Sequence, residues 1–178
     1  GGAGGIGEAV CRRLAADGYR VIVNYAHSKD KAEKLAAEIG GEAVGFSVTD
    51  CRAVNSAIEN IGFADLLVNN AGISEIDLFA HISQENARNI METNLIGAMN
   101  CARAVLPPMI NRKSGCIINI SSMWGQVGAS CEVDYSASKA GLIGFTKALA
   151  KETAPSGIRV NCVSPGFITV SYTHLRAH

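Results

Sequence analysis

Short apolar runs alternate with longer amphipathic stretches along this chain. Gly5 to Asp17 places Ile6, Val10 and Leu14 on one helical face and is stopped by Gly18. Arg20 to Tyr25 reads as a strand. Ser28 to Ile39 reads as a helix capped by Ser28 and ended by Gly40-Gly41. A strand over Glu42 to Val48, a helix over Asp50 to Asn60 and a strand over Leu66 to Asn69 follow. Ser83 to Leu106 is expected to be one long helix, stopped by Pro107-Pro108. Cys116 to Ile120 has the most buried character of the strands, Val133 to Thr153 is a second long helix, and Arg159 to Val163 is the last strand. This β/α alternation predicts an α/β fold, a parallel sheet wrapped by helices. With no repeat, linker or low-complexity segment, residues 1–169 read as one domain.

Composition narrows the class without changing it. Apolar residues make up 48% and charged residues 18% of the 178, and formal net charge is zero. The basic residues are scattered, so neither a nucleic-acid groove nor a membrane-surface patch is expected. No apolar run approaches the roughly 20 residues that span a bilayer. The six cysteines are widely spaced with no Cys-x-x-Cys pair, which favours reduced packing residues and the cytoplasm. His27 and His81 show no metal-ligand spacing, so no metal is expected.

Chemistry is concentrated in a few places. Tyr135 and Lys139 lie four apart in a helical pattern, hence one above the other on one face. A nearby ammonium favours the phenolate and lowers a tyrosine pKa from about 10, making the phenol a usable proton donor. Ser122 lies thirteen positions upstream of Tyr135, at the end of an apolar run. Gly1 to Gly7 opens the chain and leads straight into a helix, the arrangement that receives a pyrophosphate on backbone N–H groups. Two registers fit: Gly2, Gly4 and Gly7, or Gly1, Gly5 and Gly7. The next strand ends Val23-Asn24-Tyr25-Ala26-His27-Ser28-Lys29 with no acid before Asp30. An acid there would select the free ribose 2′-hydroxyl, so its absence leans toward NADP. His27, Ser28 and Lys29 are candidates for the 2′-phosphate and equally for plain solvation.

Gly1-x-x-x-Gly5-Ile6-Gly7, Asn69-Asn70-Ala71-Gly72, Asn94, Ser122, Tyr135-x-x-x-Lys139 and Pro165-Gly166 together resemble the short-chain dehydrogenase/reductases. The resemblance settles the glycine register on Gly1, Gly5 and Gly7. It implies a Rossmann-type doubly wound sheet that here lacks the first strand, expected before Gly1, as well as the C-terminal lid and last strand. It implies Tyr135 as general acid, Lys139 as the group tuning it and binding the nicotinamide ribose, and Ser122 as holder of the substrate oxygen. Asn94 would help position a water and sit where its helix is distorted. Cofactor contacts are implied for Gly1, Ala3, Gly5, Ile6, Gly7, Tyr25, Val48, Asn70, Ala71, Gly72, Tyr135, Lys139, Pro165, Gly166 and Ile168. Two departures stand out. Ser47-Val48 replaces the usual Asp-Val at the adenine, and Gly4 stands where NADP-dependent members often carry a basic residue.

Bacterial 3-oxoacyl-acyl-carrier-protein reductases are the closest pattern, implying an NADPH-dependent carbonyl reductase of fatty acid biosynthesis with an acyl-carrier-protein- or CoA-linked substrate. The resemblance implies a homotetramer or dimer packed through the Tyr135 helix, where the small residues Ala137, Ala140, Gly141 and Gly144 would permit close helix packing. The stretch Ser121 to Val133, with Met123, Trp124, Cys131 and Glu132, also resembles reductases of the ketone-bearing (5-aminopentanone) lysine of elongation factor P. The short segment between Asp50 and Asp65 departs from the typical acyl-carrier-protein reductase. A silent dinucleotide-binding regulator is the alternative of another class. Met123 and Trp124 are equally candidates for pocket wall and core, and Cys131 and Glu132 for facing substrate. Residues 170–178 resemble the translation of a sequencing adapter and are expected to be a non-native tail. Without the first strand, which the resemblance places centrally, the sheet would lose ladder partners on both sides, so the 178-residue chain by itself is expected to be unstable and inactive; a cooperative thermal transition with bound NADPH would overturn that.

Overall fold

A computed structural model describes residues 1–166 and 168. Residues 170–178, expected to be a tail, lie outside the described residues. The elements run α1 (Gly5–Ala16), β1 (Ile22–Tyr25), α2 (Lys29–Ile39), β2 (Glu42–Gly45), α3 (Cys51–Ile61), β3 (Leu66–Asn69), α4 (Gln84–Met91), a π-helical turn (Glu92–Ile96), α5 (Gly97–Arg112), β4 (Gly115–Ile120), α6 (Trp124–Val127), α7 (Val133–Thr153), a 3₁₀ turn (Ala154–Ser156) and β5 (Ile158–Val163).

All strand pairings are parallel, and the described strands form two sheets. β1 pairs with β2, with Tyr25 opposite Gly45. β4 is central to the second sheet, pairing Ile118 with Val68 of β3 and with Asn161 of β5. A cleft of about 370 Å³ separates the sheets, lined by Ile22 and Asn24 on one side and Leu66 to Asn69 on the other. The glycine loop spans it: Gly2 N donates to Asn24 O at 3.1 Å, and Asn70 Nδ2 donates to Gly1 O at 2.8 Å.

Each sheet has its own apolar core. Val23, Ala32, Leu35 and Ala36 bury between α2 and the first sheet. Val105, Met109, Ile117, Leu149 and Val160 bury around the second. Asp50 caps α3 by accepting from the N–H groups of Arg52 and Ala53, and Ser83 caps α4 by accepting from Asn86 N. Ser28 precedes α2 but its hydroxyl makes no capping bond.

The helix expected to stop at Leu106 instead continues through Pro107 and Pro108 to Arg112. Proline removes a ladder donor and crowds the preceding turn. Val105 before the pair and Met109 after it are both fully buried in the second core, and that burial holds the helix on course. Further upstream the helix is interrupted by the π turn around Asn94. Strands β1 and β2 are shorter than expected, ending or starting where pairing with the neighbour ends.

A buried polar chain ties the layers together. Asn69 Nδ2 donates to Asn119 Oδ1 at 2.9 Å, Asn119 Nδ2 donates to Thr146 Oγ1 at 2.8 Å, and the Thr146 hydroxyl donates to Leu142 O. It crosses from β3 through β4 to α7. Replacing Asn119 by alanine strands its partners in the interior, so Asn119→Ala is expected to lose about 2 kcal/mol, roughly 4–8 °C in Tm. Thermal unfolding of the completed gene product checks this.

Candidate active site

β4 delivers Ser121 and Ser122 to the carboxyl edge of the second sheet, and α7 brings Tyr135 and Lys139 to the same edge. The docking of α7 is tight. Ser121 Oγ donates to Lys139 O at 2.9 Å, and a Cβ on Gly125 would stand 2.9 Å from the same carbonyl oxygen. Only a glycine lets α6 approach α7 this closely.

Lys139 is 4% exposed. Its ammonium donates to Ile120 O at 2.8 Å and lies 5.7 Å from the centroid of the Tyr135 ring. Burial lowers its pKa to about 8. Beside it is Asn94, 1% exposed in the π turn. Asn94 accepts from Ile73 N at 2.8 Å and donates to Ile73 O and to Ser138 Oγ. A Cβ on Gly72 would lie 3.3 Å from Asn94 Oδ1 and 3.4 Å from Lys139 Nζ. The missing side chain at Gly72 thus leaves a small space faced by both groups.

The phenol differs from the expectation. Burial raises the pKa of Tyr135, the hydrogen bond from Ser122 pulls it down, and the Glu132 carboxylate pushes it up. Lys139 is not among the causes. Its Nζ is turned to the Ile120 carbonyl, and desolvation outweighs its field at the phenol.

At the glycine loop, a Cβ on Gly1 would meet Ala71 Cα at 2.7 Å, and one on Gly7 would collide with Gly1 O and stand 2.8 Å from Asn70 Nδ2. Gly4 has nothing within 4 Å, and Gly5 has φ +47°. Pro165 and Gly166 run alongside the Ser122 turn, where Met123 N donates to Pro165 O at 2.9 Å. Ile168 is exposed. Val48 packs against the start of α5, where a Cβ on Gly97 would lie 2.5 Å from its Cγ2, and Asn100 Nδ2 donates to its carbonyl. Ala3 and Tyr25 face the first core; the Tyr25 ring lies over Gly45, whose Cβ would be 2.8 Å from Cζ.

The structure therefore gathers Asn94, Ser122, Tyr135 and Lys139 at one edge, with Gly1, Gly7, Asn70 and Ala71 packed together beside the cleft. The family description "short chain dehydrogenase" matches residues 1–177. This chain belongs to the short-chain dehydrogenase family. It is similar to the 3-oxoacyl-[acyl-carrier-protein] reductase FabG of Staphylococcus aureus (strain Mu50), 42% identical over 178 residues, covering 95% of this chain and 72% of the relative. The 3-oxoacyl-[acyl-carrier-protein] reductase of Synechocystis sp. is likewise 42% identical, covering 95% and 72%. A solved short-chain dehydrogenase from Streptomyces avermitilis superposes with a TM-score of 0.90 at 33% identity, covering 96% of this chain and 66% of that one.

A nicotinamide dinucleotide is implied by this family, and the residues present fit it. The first turn of α1 has no side-chain cap, and the loop before it carries almost no side chains. Gly7 N and Glu8 N turn to Gly4 O, and the positive dipole end of the helix favours a phosphate at the loop before them. Among the described residues no group of three or more His, Cys, Asp or Glu side chains is placed to hold a metal ion, and no helix is long and apolar enough to cross a membrane.

Sequence reading missed the Asn69–Asn119–Thr146 chain and Ser138, which orients Asn94 while donating to Tyr135 O at 2.7 Å. Polar residues inside apolar stretches were the available signal.

The buried ammonium has a consequence for stability. Lys139 ordinarily titrates at 10.5 and here at about 8. Below about pH 8 both states hold the proton and the folded chain bears the full cost of burying it. Between about 8 and 10.5 the unfolded chain binds more protons, so stability rises with pH. Thermal melts of the cofactor-free completed protein against Lys139→Met are expected to show the parent gaining on the variant across that window. Parallel curves would contradict the assignment.

Proposed function

We propose that this chain carries the catalytic centre of a carbonyl reductase that uses a nicotinamide dinucleotide. The carrying observation is the juxtaposition of Ser122, Tyr135 and a buried Lys139 at the carboxyl edge of the sheet. A reduced nicotinamide dinucleotide held at the Gly1–Gly7 loop, Asn70 and Lys139 would supply the hydride for the carbonyl carbon. Negative charge then develops on the carbonyl oxygen, where the Ser122 hydroxyl and the Tyr135 phenol act as donors. The phenol passes its proton to that oxygen, giving the alcohol. Burial keeps the phenol protonated but makes it a weaker acid, which the Ser122 hydrogen bond offsets in part. Lys139 restores the phenol by way of the space it shares with Asn94 beside Gly72. Both Tyr135 and Lys139 are present, which argues against a silent regulator.

The first substrate reading is a 3-oxoacyl group on acyl-carrier protein or CoA, reduced to the 3-hydroxy form by a cytoplasmic, homotetrameric enzyme. Relatives 40–42% identical that are named for this activity support it. NADP is preferred over NAD, because residues 22–29 carry no carboxylate to repel a 2′-phosphate. A second reading, reduction of the ketone-bearing lysine of elongation factor P, is supported by the segment from Ser121 to Val133. That segment carries a carboxylate, Glu132, near the Tyr135 phenol.

NADPH oxidation with acetoacetyl-CoA by the completed gene product, beside Tyr135→Phe, tests the centre. The variant is expected to lose about 10²–10⁴-fold in kcat; equal rates would defeat the enzyme reading. The same assay with ketone-modified elongation factor P separates the two substrates. Titration with NADPH and NADH is expected to show tighter binding of NADPH.

A further inference from the structure

Ser138 lies in α7 between Tyr135 and Lys139 and is fully buried. Its hydrogen is committed, since the hydroxyl donates to Tyr135 O at 2.7 Å. Its oxygen accepts from Asn94 Nδ2 at 3.0 Å. One hydroxyl thus touches the backbone of the phenol's own residue and the side chain inside the π turn, and its residue precedes Lys139 directly. A serine in a helix needs no such second partner, because back-bonding to the preceding turn already uses its hydrogen. The Thr153 hydroxyl, donating to Leu149 O, has that arrangement in the same helix.

The three bonds that hold Asn94 have different effects. Ile73 N donates to Oδ1 at 2.8 Å and Nδ2 donates to Ile73 O at 2.9 Å, which settles which end of the amide is oxygen. That pair ties Asn94 to the segment after β3. The other hydrogen of Nδ2 goes to Ser138, so both donors are used. Of these partners, only Ser138 belongs to the helix that carries Tyr135 and Lys139. A neighbouring contact between the π turn and α7 is apolar: a Cβ on Gly141 would lie 2.8 Å from Leu95 Cδ2. Such a contact excludes water without directing an amide.

The geometry that depends on Ser138 is the space beside Gly72. Asn94 Oδ1 faces it from the π turn and Lys139 Nζ from α7. The ammonium is anchored on its own side by Ile120 O at 2.8 Å. The two walls therefore come from separate elements, and the Ser138–Asn94 bond joins them.

We propose that Ser138 is a positioning residue for the return of the proton to Tyr135: it pins Asn94 to α7, so that Asn94 Oδ1 and Lys139 Nζ keep facing one space. This rests on the carbonyl-reductase reading and adds a residue to it. The Tyr135 O–H bond breaks as the carbonyl oxygen gains the proton, leaving a phenolate. An N–H bond of the Lys139 ammonium then breaks as the phenol re-forms, and the amine regains a proton from solvent through that space. Ser138 takes no part in the first transfer. Its loss slows the return, because a shifted amide no longer orders the donor that faces the amine.

The test compares one turnover with many, using the completed protein with NADPH and acetoacetyl-CoA or, if faster, ketone-modified elongation factor P. Burial keeps the phenol protonated at the start, so the first turnover needs no return step. In Ser138→Ala the first turnover, followed by the absorbance of the reduced nicotinamide, is expected to stay within about twofold of the unmodified protein, while kcat falls about tenfold with KM nearly unchanged. The solvent deuterium isotope effect on kcat is expected to rise, because proton return becomes the slow step. Asn94→Ala is expected to lose as much or more in kcat, and the double variant no more than Asn94→Ala alone, since the two residues act as a unit. An unchanged kcat, equal losses in first turnover and kcat, or losses that multiply in the double variant each overturn the proposal. Assays run below each variant's Tm with saturating NADPH, which stabilises the folded state. Ser138→Cys fills the same space with a weak acceptor and is read by the same criteria, so a folding failure of Ser138→Ala still leaves a result. Tyr135→Phe is run alongside. Turnover undiminished in that variant sinks the reductase reading itself, whereas normal proton return in Ser138→Ala sinks only the role of Ser138.

Discussion

The site depends on keeping an ammonium out of water. Lys139 is held between β4 and α7, donating to Ile120 O and facing Asn94 across Gly72, and burial has taken its pKa down to about 8. Burying such a group is costly unless it is hydrogen-bonded or paired, and the wall around it must hold those partners in place. The wall is built by side chains far from the reacting edge. Asn69, Asn119 and Thr146 join β3, β4 and α7 through the interior, and the Ser121 hydroxyl fixes the backbone of Lys139 itself. Stability and chemistry are therefore coupled through one helix.

The glycine loop performs a second joining. Gly1 and Gly2 touch Asn24 on one sheet while Asn70 reaches back to Gly1 from the other. Its bare backbone seats the first turn of α1 close to both strand ends, and the helix terminus meets solvent uncapped. The fit for a phosphate and the closeness of the two sheets at this edge rest on the same absence of side chains.

Much of this was legible in the residues. Leu66–Asn69 and Val133–Thr153 fall where the apolar pattern places them, and the Tyr135–Lys139 spacing puts both on one face. Local pattern suffices there because each element is bounded by strong signals. It fails at Pro107-Pro108, where the local penalty is overridden by the burial of Val105 and Met109, a long-range effect. It fails again at the Tyr135 phenol. Spacing predicts that two groups are near, whereas the direction of the pKa shift follows from burial, with the Ser122 hydrogen bond opposing it and Glu132 adding to it, which only the packed structure weighs. Tyr25 and Ala3, which the resemblance places at the cofactor, pack partly against the first core.

The π turn at Glu92–Ile96 holds one residue more per loop than an α-helix would, and Asn94 sits inside it. Upstream, Ile90 meets the interior; downstream, Val105 and Met109 do. Deleting one residue within the turn would let it close into a regular α-helix, with Ile90 upstream and Val105 and Met109 downstream keeping their inward faces. What would be lost is the bulge itself, and with it the position from which Asn94 reaches Ile73 and Ser138. The extra residue therefore serves the asparagine rather than the packing of the helix.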